Sequence, residues 1–238
     1  MATVAEHYAS HLAPIYVWMA GGMEAALAAG AQELVSYLPG TGLAVDLGAG
    51  LGMHSIPLAK GGHRVIAVDT SAQLLRTLRD HSSGLEIETK ESDLRSFRKV
   101  LTEPAELIVC MGDTLTHLQS VSDVEQLCAD VAQSLKPTGR FVATFRDYSS
   151  PPTGALRFIP VRSDADRILT CCLEDATTHV VVHDILHERE GAQWSLKVSS
   201  YRKLRLAPTV VETALRTHGL AARVEPGPRG MVRVVACS

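Results

Sequence analysis

The chain has 238 residues, of which 46% are hydrophobic and 21% charged, as in ordinary globular proteins. Its net charge of -3 and pI near 6.4 argue against nucleic acid and anionic membranes as partners. No apolar run reaches the roughly 18 residues that cross a bilayer, and the first residues lack a signal-peptide pattern. The five cysteines include no C-x-x-C pair, so we expect free thiols, no metal site and a cytoplasmic location.

The chain begins with a segment rich in Ala and Leu, whose apolar residues recur at helical spacing until Pro39 and Gly40. We predict an N-terminal helical cap over residues 1–40. Beyond it, short apolar runs alternate with amphipathic segments, which indicates a parallel sheet covered by helices on both faces. The predicted strands are 43–48, 64–69, 106–111 and 140–145, and the predicted helices are 54–61, 71–81 and 121–135.

The pattern changes after Tyr148, at the turn-rich segment SSPPTG (149–154). Long runs rich in β-branched residues follow and predict antiparallel strands, so 149–207 is interpreted as an insert. A helix at 209–219 and two short strands then close the chain. We assign 41–148 and 208–238 to one core domain and expect the insert to be a substrate lid or a contact between two copies.

The strongest chemical signal is the sequence VDLGAGLG (45–52), in which glycines alternate where a strand passes into a helix. Such a turn lets the backbone approach a ligand closely and points the helix N-terminus at it. A dinucleotide fingerprint would need glycine at Met53, and Asp46 before the turn would repel a pyrophosphate. The carboxylate suits a cationic ligand better. Alone, the pattern would also fit an ordinary tight turn.

A second acidic residue, Asp69, ends the next predicted strand, where its carboxylate can accept hydrogen bonds from two ribose hydroxyls. With this residue in place, AVDLGAGLGMHSIPLAKGGHRVIAVDTSAQLL (44–75) resembles the class I S-adenosylmethionine-dependent methyltransferases. The resemblance extends through 91–97, 106–118 and 135–145. It implies an α/β fold with a seven-stranded, mostly parallel Rossmann-like sheet whose last strand is reversed.

The resemblance also implies which residues hold the cofactor, S-adenosyl-L-methionine. Residues around its methionine part, ribose and adenine would be Asp46, Gly48, Gly50, Gly52, Asp69, Thr70, Asp93 and Leu94. Met111 and Gly112 would pass near the sulfonium, and His117 would lie within reach of the methyl-transfer pocket. Asp93 also fits the position of a helix cap, and the two roles are compatible.

Methyl transfer needs an in-line approach of nucleophile and methyl carbon, and a base only where the acceptor must lose a proton. The segment after the fourth strand, Gly112-Asp113-Thr114-Leu115, has neither the proline nor the aromatic residue of enzymes that methylate bases. No Pro-Cys dipeptide exists for attack on cytosine. By resemblance we therefore expect an amine or hydroxyl of a small metabolite as methyl acceptor.

The segment HLAPIYVWM (11–19) resembles the helical lid of the family. Tyr8, His11, Tyr16 and Trp18 are candidates to cover the methyl pocket, although ordinary core packing explains aromatic residues equally well. We take His117 and Tyr16 as the candidate catalytic residues.

Two further candidates for substrate binding, Arg146 and Tyr148, follow the 140–145 strand on the binding edge of the predicted sheet.

Three histidines in the insert, His179, His183 and His187, recur every fourth residue. In a strand this spacing covers about 13 Å, which is too far for one ion, so no metal site is predicted. All three share one sheet face. If that face looks toward the cofactor, His183 or His187 is a candidate to bind substrate or to act as a base. Otherwise the face is solvated or interfacial.

Two other functions stay open. A regulatory or assembly module could bind the cofactor without catalysis. An NAD-linked oxidoreductase is the third hypothesis, disfavoured by the position of the third glycine.

Overall fold

The computed structural model describes residues 2–150 and 152–238. Met1 of the predicted cap and Pro151 of the predicted turn-rich segment therefore lie outside the described residues. Eleven strands form two sheets. They are β1 Leu43–Leu47, β2 Arg64–Asp69, β3 Ile87–Glu91, β4 Ala105–Cys110, β5 Leu135–Phe145, β6 Phe158–Ser163, β7 Arg167–Asp175, β8 His179–Glu190, β9 Gln193–Leu204, β10 Ala221–Pro226 and β11 Val232–Cys237.

The larger sheet has seven strands in the order β10-β11-β5-β4-β1-β2-β3. Strands β1 to β5 pair in parallel, and β11 runs antiparallel to both of its neighbours. The predicted fold class is thus confirmed. Strand β3 was missed because its sequence, IETKE, is half-buried and mostly polar at the edge of the sheet. Strands β1, β2, β4 and β5 had been recognised from their continuous apolar runs, which central parallel strands need on both faces.

Seven α-helices accompany the sheets in the described ranges. They are α1 Val4–His7, α2 Tyr16–Met19, α3 Met23–Glu33, α4 Ser55–Lys60, α5 Ala72–Asp80, α6 Val121–Ser134 and α7 Pro208–Thr217. A π-helical turn, Tyr8–Leu12, lies between α1 and α2. Helix α3 ends before the predicted stop at Pro39, because Leu34 leaves the helical conformation and is fully buried against β4 and β5.

Strands β6 to β9 form a separate four-stranded antiparallel sheet in sequential order, as predicted for the insert. One face of this sheet packs Leu173, Val180, Val182 and Tyr201 against Tyr148 of the core. The predicted division into 1–40, 41–148 with 208–238, and 149–207 stays a prediction.

Within the described chain, no single helix is long and apolar enough to cross a membrane. The bent pair formed by Val4–Met19 and Met23–Glu33 meets that test by length and composition alone.

Candidate functional site

A cavity of about 740 Å³ opens along the carboxyl-terminal edge of the parallel strands. Strands β1, β2, β4 and β5 each deliver the residues that follow them to its wall, because parallel strands end at the same edge of a sheet. The N-terminal segment, strand β6 and the turn before β11 complete the wall. Of the predicted site residues, those on the wall are Tyr8, Tyr16, Gly48, Gly50, Asp69, Thr70, Asp93, Leu94, Met111, Gly112, His117 and Arg146.

The glycine-rich turn is held in place by β2 and its terminal aspartate. Gly48 N–H donates to Val68 O at 2.8 Å, and Gly50 N–H donates to Asp69 Oδ2 at 2.8 Å. The other carboxylate oxygen of Asp69 accepts from Ser71 N–H at 2.7 Å. Gly48 has φ +79°, and a Cβ there would lie 2.5 Å from Thr114 Cγ2, so both backbone and space require glycine.

The carboxylate of Asp69 combines burial with free acceptor capacity. Burial raises its pKa, which the amide donors Ser71 and Gly50 partly oppose. A carboxylate offers about four acceptor positions, so two backbone bonds leave room for ligand hydroxyls. The geometry therefore allows this residue to organise the turn and to bind a diol at the same time.

Two predicted cofactor contacts, Asp46 and Gly52, do not lie among the residues that line the cavity. A Cβ on Gly52, which has φ +90°, would lie 2.2 Å from Leu78 Cδ1, so this glycine serves packing against α5. Asp46 is buried and accepts from Ser55 Oγ at 2.6 Å, while its Oδ1 has no partner among the described residues. Burial raises the pKa of Asp46.

Asp93 and Leu94, which follow the edge strand β3, also line the cavity. Asp93 Oδ1 accepts from Arg95 N–H at 2.8 Å and caps the short helix Leu94–Val100. Hydrogen bonds from the Arg95 side chain lower the pKa of Asp93. Asp93 therefore caps this helix and lines the cavity at the same time.

His117 ends the short helix Thr114–His117 after β4 and lines the same cavity; strands β1 and β2 lie between β4 and β3 in the sheet. Its ring meets Tyr8 and Tyr201 edge-on, with centroid distances of 5.6 and 5.8 Å. Burial, reinforced by the nearby charge of Lys203, lowers the pKa of His117 to about 3, so the imidazole is neutral at neutral pH. Its Nε2 has no hydrogen-bond partner within the described part of the chain.

Two tyrosines of the N-terminal segment, Tyr8 and Tyr16, close the cavity beside this histidine. Their ring centroids lie 6.1 Å apart. Burial raises the pKa of both phenols, so their hydroxyls stay protonated and can donate hydrogen bonds.

Comparisons with known proteins agree with this geometry. Residues 44–139 match the family described as "Methyltransferase domain". A glycine/sarcosine N-methyltransferase from Aphanothece halophytica is 29% identical over 106 residues, which cover 44% of this chain and 40% of that protein.

Solved structures match over most of the chain. DesVI of Streptomyces venezuelae superimposes with a TM-score of 0.79 at 19% identity, covering 94% of this chain and 97% of its own. The SAM-bound amino pentose methyltransferase CalS10 of Micromonospora echinaspora has a TM-score of 0.69 at 16% identity, with 90% of each chain covered. Residues 44–139 thus match a methyltransferase domain, and the chain as a whole has the fold of these solved structures. It spans about 40% of the length of the first curated relatives that it matches.

Four residues predicted to bind substrate do not line the cavity. Trp18 points away, with Nε1 donating to Asp164 and its ring below two arginines. His11 is buried beside the His7 ring, 5.4 Å away between centroids. Tyr148 is buried and donates from its hydroxyl to Asp113 Oδ2 at 3.2 Å.

The fourth of these, His183, lies on the face of the insert sheet that points away from the core. Its ring nitrogens lie 2.7 Å from Ser200 Oγ and 3.0 Å from Glu174 Oε2. Residues of β8 with the opposite parity, such as Val182 and Leu186, are buried instead. The predicted sharing of one face by the three histidines agrees with the pairing of β8, but that face is the outer one.

Sequence reasoning missed a buried charge pair next to the cavity. Asp113, with φ 76°, accepts hydrogen bonds from Arg146 N–H at 2.9 Å and from Lys203, with which it forms an ion pair. Burial opposes ionisation of Asp113, but the charge of Lys203 and these donors outweigh it and lower the pKa. One signal for it was present in the sequence. Lys203 lies two residues after Tyr201 on β9, so both side chains point to the same, inward face of the strand.

A second missed group is Arg229, which lines the cavity from the turn before β11. Its guanidinium pairs with Glu33 at 2.9 Å, and Glu33 also lies 3.0 Å from His54 Nε2. The turn places Arg229 at φ 51°, so its backbone is strained. No sequence pattern pointed to it, because the turn lies far from the glycine-rich segment in the chain.

Proposed function

We propose that the chain is an S-adenosylmethionine-dependent methyltransferase that methylates an amine or hydroxyl of a small metabolite. One observation carries the proposal. A single cavity joins a nucleoside-type wall, built from the glycine-rich turn, Asp69 and Asp93, to an aromatic end with an unpartnered histidine.

The residues present fit S-adenosylmethionine as the cofactor. Gly50 has φ +54°, and the nearest side-chain atom to a Cβ there would be 3.9 Å away, so the turn leaves open space. Asp69 and Asp93 would hold the nucleoside through carboxylate acceptors. The bound cofactor supplies an electrophilic methyl group on a positively charged sulfur.

The chain itself would orient the acceptor. Neutral His117 accepts a hydrogen bond from the N–H or O–H of the acceptor and so directs a lone pair of the nucleophile. Tyr8 and Tyr16 donate from phenols that stay protonated and exclude water from that end of the cavity. Its depressed pKa makes His117 a weak base, which suits orientation better than complete proton removal.

The identity of the acceptor is proposed as a class only. Named relatives of this domain include N- and O-methyltransferases. Arg146 lines the cavity and has no carboxylate within ion-pair distance in the described residues, so it is available to an anionic group of the acceptor. A small metabolite fits the enclosed volume of about 740 Å³ better than nucleic acid does.

The proposal is tested by mass spectrometry with a panel of amines, amino acids, amino sugars and alcohols, supplied with S-adenosylmethionine. A mass gain of one methyl group on a panel member is expected. Tight calorimetric binding of adenosylhomocysteine without any methyl transfer would favour the non-catalytic module instead. Saturable binding of NADH without binding of adenosylhomocysteine would favour the oxidoreductase.

Changing His117→Gln is expected to lower kcat by about 100-fold, because the acceptor loses its orienting contact. The affinity for adenosylhomocysteine should stay within about threefold, since the nucleoside wall is untouched. With a pKa of about 3, His117 should also give no acidic limb near pH 6.5 in wild-type kcat. His218→Gln, on an exposed residue after α7, is the control. An unchanged kcat in His117→Gln would exclude the role.

We also propose that the insert joins two copies of the chain. Strand β9 lies at the edge of its sheet, and its outer face exposes Trp194, Leu196 and Val198. Two such edges can pair around a two-fold axis, because a two-fold contact joins the same patch on both subunits. Sedimentation should give a dimer for the wild type and a monomer for Leu196→Glu. A monomeric wild type would exclude the proposed dimer.

A cytoplasmic location is proposed as well, since all five cysteines are free thiols in the structure. Fractionation of the native host tests this proposal.

A further inference from the structure

His7 is a buried polar residue that the proposed chemistry does not use. Its side chain has no solvent exposure. Nε2 lies 2.9 Å from Asp184 Oδ2 and Nδ1 lies 2.7 Å from Ser199 Oγ, so both ring nitrogens are satisfied. The carboxylate accepts from Nε2–H, because an ionised carboxylate has no hydrogen to donate. Both partners belong to the insert sheet, on β8 and β9.

These contacts stabilise the N-terminal segment, which is too short to be stable by itself. Helix α1 is only four residues long, and an isolated helix of that length is unstable in water despite its Thr3–Glu6 capping box. Beyond His7, the segment reaches the insert through Ala2 N–H, which donates to Ser200 O at 3.2 Å, and through Val4 in the apolar cluster around Tyr201. Its position therefore depends on the insert.

The same histidine is linked to the reactive end of the cavity through aromatic contacts. The His7 ring stacks on Tyr201 at 4.1 Å between centroids, and Tyr201 meets His117 edge-on at 5.8 Å. Tyr8 follows His7 directly and also meets His117, at 5.6 Å. A shift of His7 would move Tyr8 and remove the ring that stacks on Tyr201, so both aromatic neighbours of His117 would be affected. The π-helical turn begins at Tyr8, and π-helical turns are frequent at functional sites.

We propose that His7, anchored by Asp184, is a positioning residue that docks the N-terminal segment on the insert and so holds Tyr8 and Tyr201 against His117. The catalytic part of this proposal rests on the proposed function, whereas the docking part does not. The insert would thus shape the methyl-transfer end of the cavity without lining it through β8 or β9.

Amide hydrogen exchange of the unliganded chain tests the docking directly. His7→Phe keeps an aromatic ring on Tyr201 but removes both hydrogen bonds. Peptides covering 2–20 and 113–118 should then exchange at least about tenfold faster, because bonds to a charged group contribute about 1.5–3 kcal/mol. Peptides of the central strands, 43–69, should not change.

Two companion variants distinguish docking from a general loss of stability. His7→Gln retains a donor able to reach Asp184 and should restore most of the protection. Ser10→Ala removes an exposed hydroxyl of the same segment, which donates to Glu6 O at 2.7 Å, and should match the wild type. Unchanged exchange in His7→Phe, or faster exchange spread evenly over the chain, would overturn the proposal.

Turnover supplies the second measurement. We expect His7→Phe to lower kcat by about tenfold with a smaller change in KM, and His7→Gln to recover kcat, because orientation at His117 is what is lost. An unchanged kcat beside faster exchange would refute the positioning role. If the wild type transfers no methyl group, the proposed function fails, while the exchange data still decide the docking.

Discussion

Lys203→Met is expected to lower the free energy of unfolding by about 3–5 kcal/mol, because it leaves the buried carboxylate of Asp113 without its counter-charge. In a chain of this size that loss corresponds to a fall in Tm of about 6–20 °C. Differential scanning calorimetry measures it. The matched control is Lys197→Met on the same strand, whose exposed pair with Glu188 contributes at most about 1 kcal/mol.

The Asp113–Lys203 pair also predicts how the free energy of unfolding changes with pH. The pKa of Asp113 is lowered in the folded state, so its stabilising contribution is complete above the ordinary aspartate value of about 3.9. That contribution is lost as the pH falls through the lower folded value. Without Lys203, burial would raise the pKa of Asp113 above its ordinary value, so acidification would protonate the buried carboxylate in the folded state first and relieve part of the loss. The stability deficit of Lys203→Met relative to wild type should therefore shrink as the pH falls. Urea midpoints between pH 7 and 3 that run parallel in wild type and Lys203→Met would contradict this.

Loss of Lys203 should also disturb the candidate site, because Asp113 lies at the start of the segment that carries His117. Its Oδ1 accepts from Arg146 N–H at 2.9 Å and from Thr116 Oγ1 at 3.1 Å. Strands β4 and β5 and the helix Thr114–His117 are thereby joined at one carboxylate. Lys203 belongs to strand β9 of the insert. The insert therefore contacts the segment that carries His117 through Lys203, and the N-terminal segment through the contacts of His7.

What the sequence could predict follows from local physics. Apolar runs ending at Asp69 or before Gly48 identify buried parallel strands, and residues just after such strands must meet at one edge. For this reason residues that end or follow these strands, such as Gly48 and Asp69, were expected at one edge, and they line one cavity. Their assignment to a nucleoside rests on the family resemblance and stays a prediction. Gly52 shows the limit of the argument, because a glycine at the right spacing is required by Leu78 and not by the cavity.

What could not be predicted depends on how distant segments meet. Alternation places His183 and Asp184 on opposite faces of β8, but only docking of the insert decides which face is inward. The Asp113–Lys203 pair joins residues 90 positions apart, so neither side chain carries a local signal. Trp18 likewise finds Asp164 across the insert boundary. His117, Tyr8 and Tyr16 were named from the sequence and line the cavity, but the long-range contacts that hold them in place were not.

Asp69→Ala should reduce the affinity for adenosylhomocysteine by at least about 100-fold. Two hydrogen bonds to a charged group contribute about 1.5–3 kcal/mol each, and every 1.4 kcal/mol is about tenfold in Kd. The substitution also frees Gly50 N–H and Ser71 N–H, which now donate to the carboxylate at 2.8 and 2.7 Å, so the turn loses its anchor. Asp69→Asn, which keeps one acceptor oxygen, should fall between wild type and alanine.

Calorimetric titration with three ligands separates recognition of the ribose from general damage to the turn. Methylthioadenosine keeps the ribose but lacks the amino-acid part, and its affinity should fall as much as that of adenosylhomocysteine. Adenine has no ribose, so its weak binding should change little if Asp93 and Leu94 are undisturbed. Asp80→Ala, on an exposed carboxylate at the end of α5, controls for the loss of one negative charge near the site. Equal affinity of wild type and Asp69→Ala for both nucleosides would exclude this carboxylate from ribose binding, because no buried acceptor of diol hydroxyls can be removed without a cost.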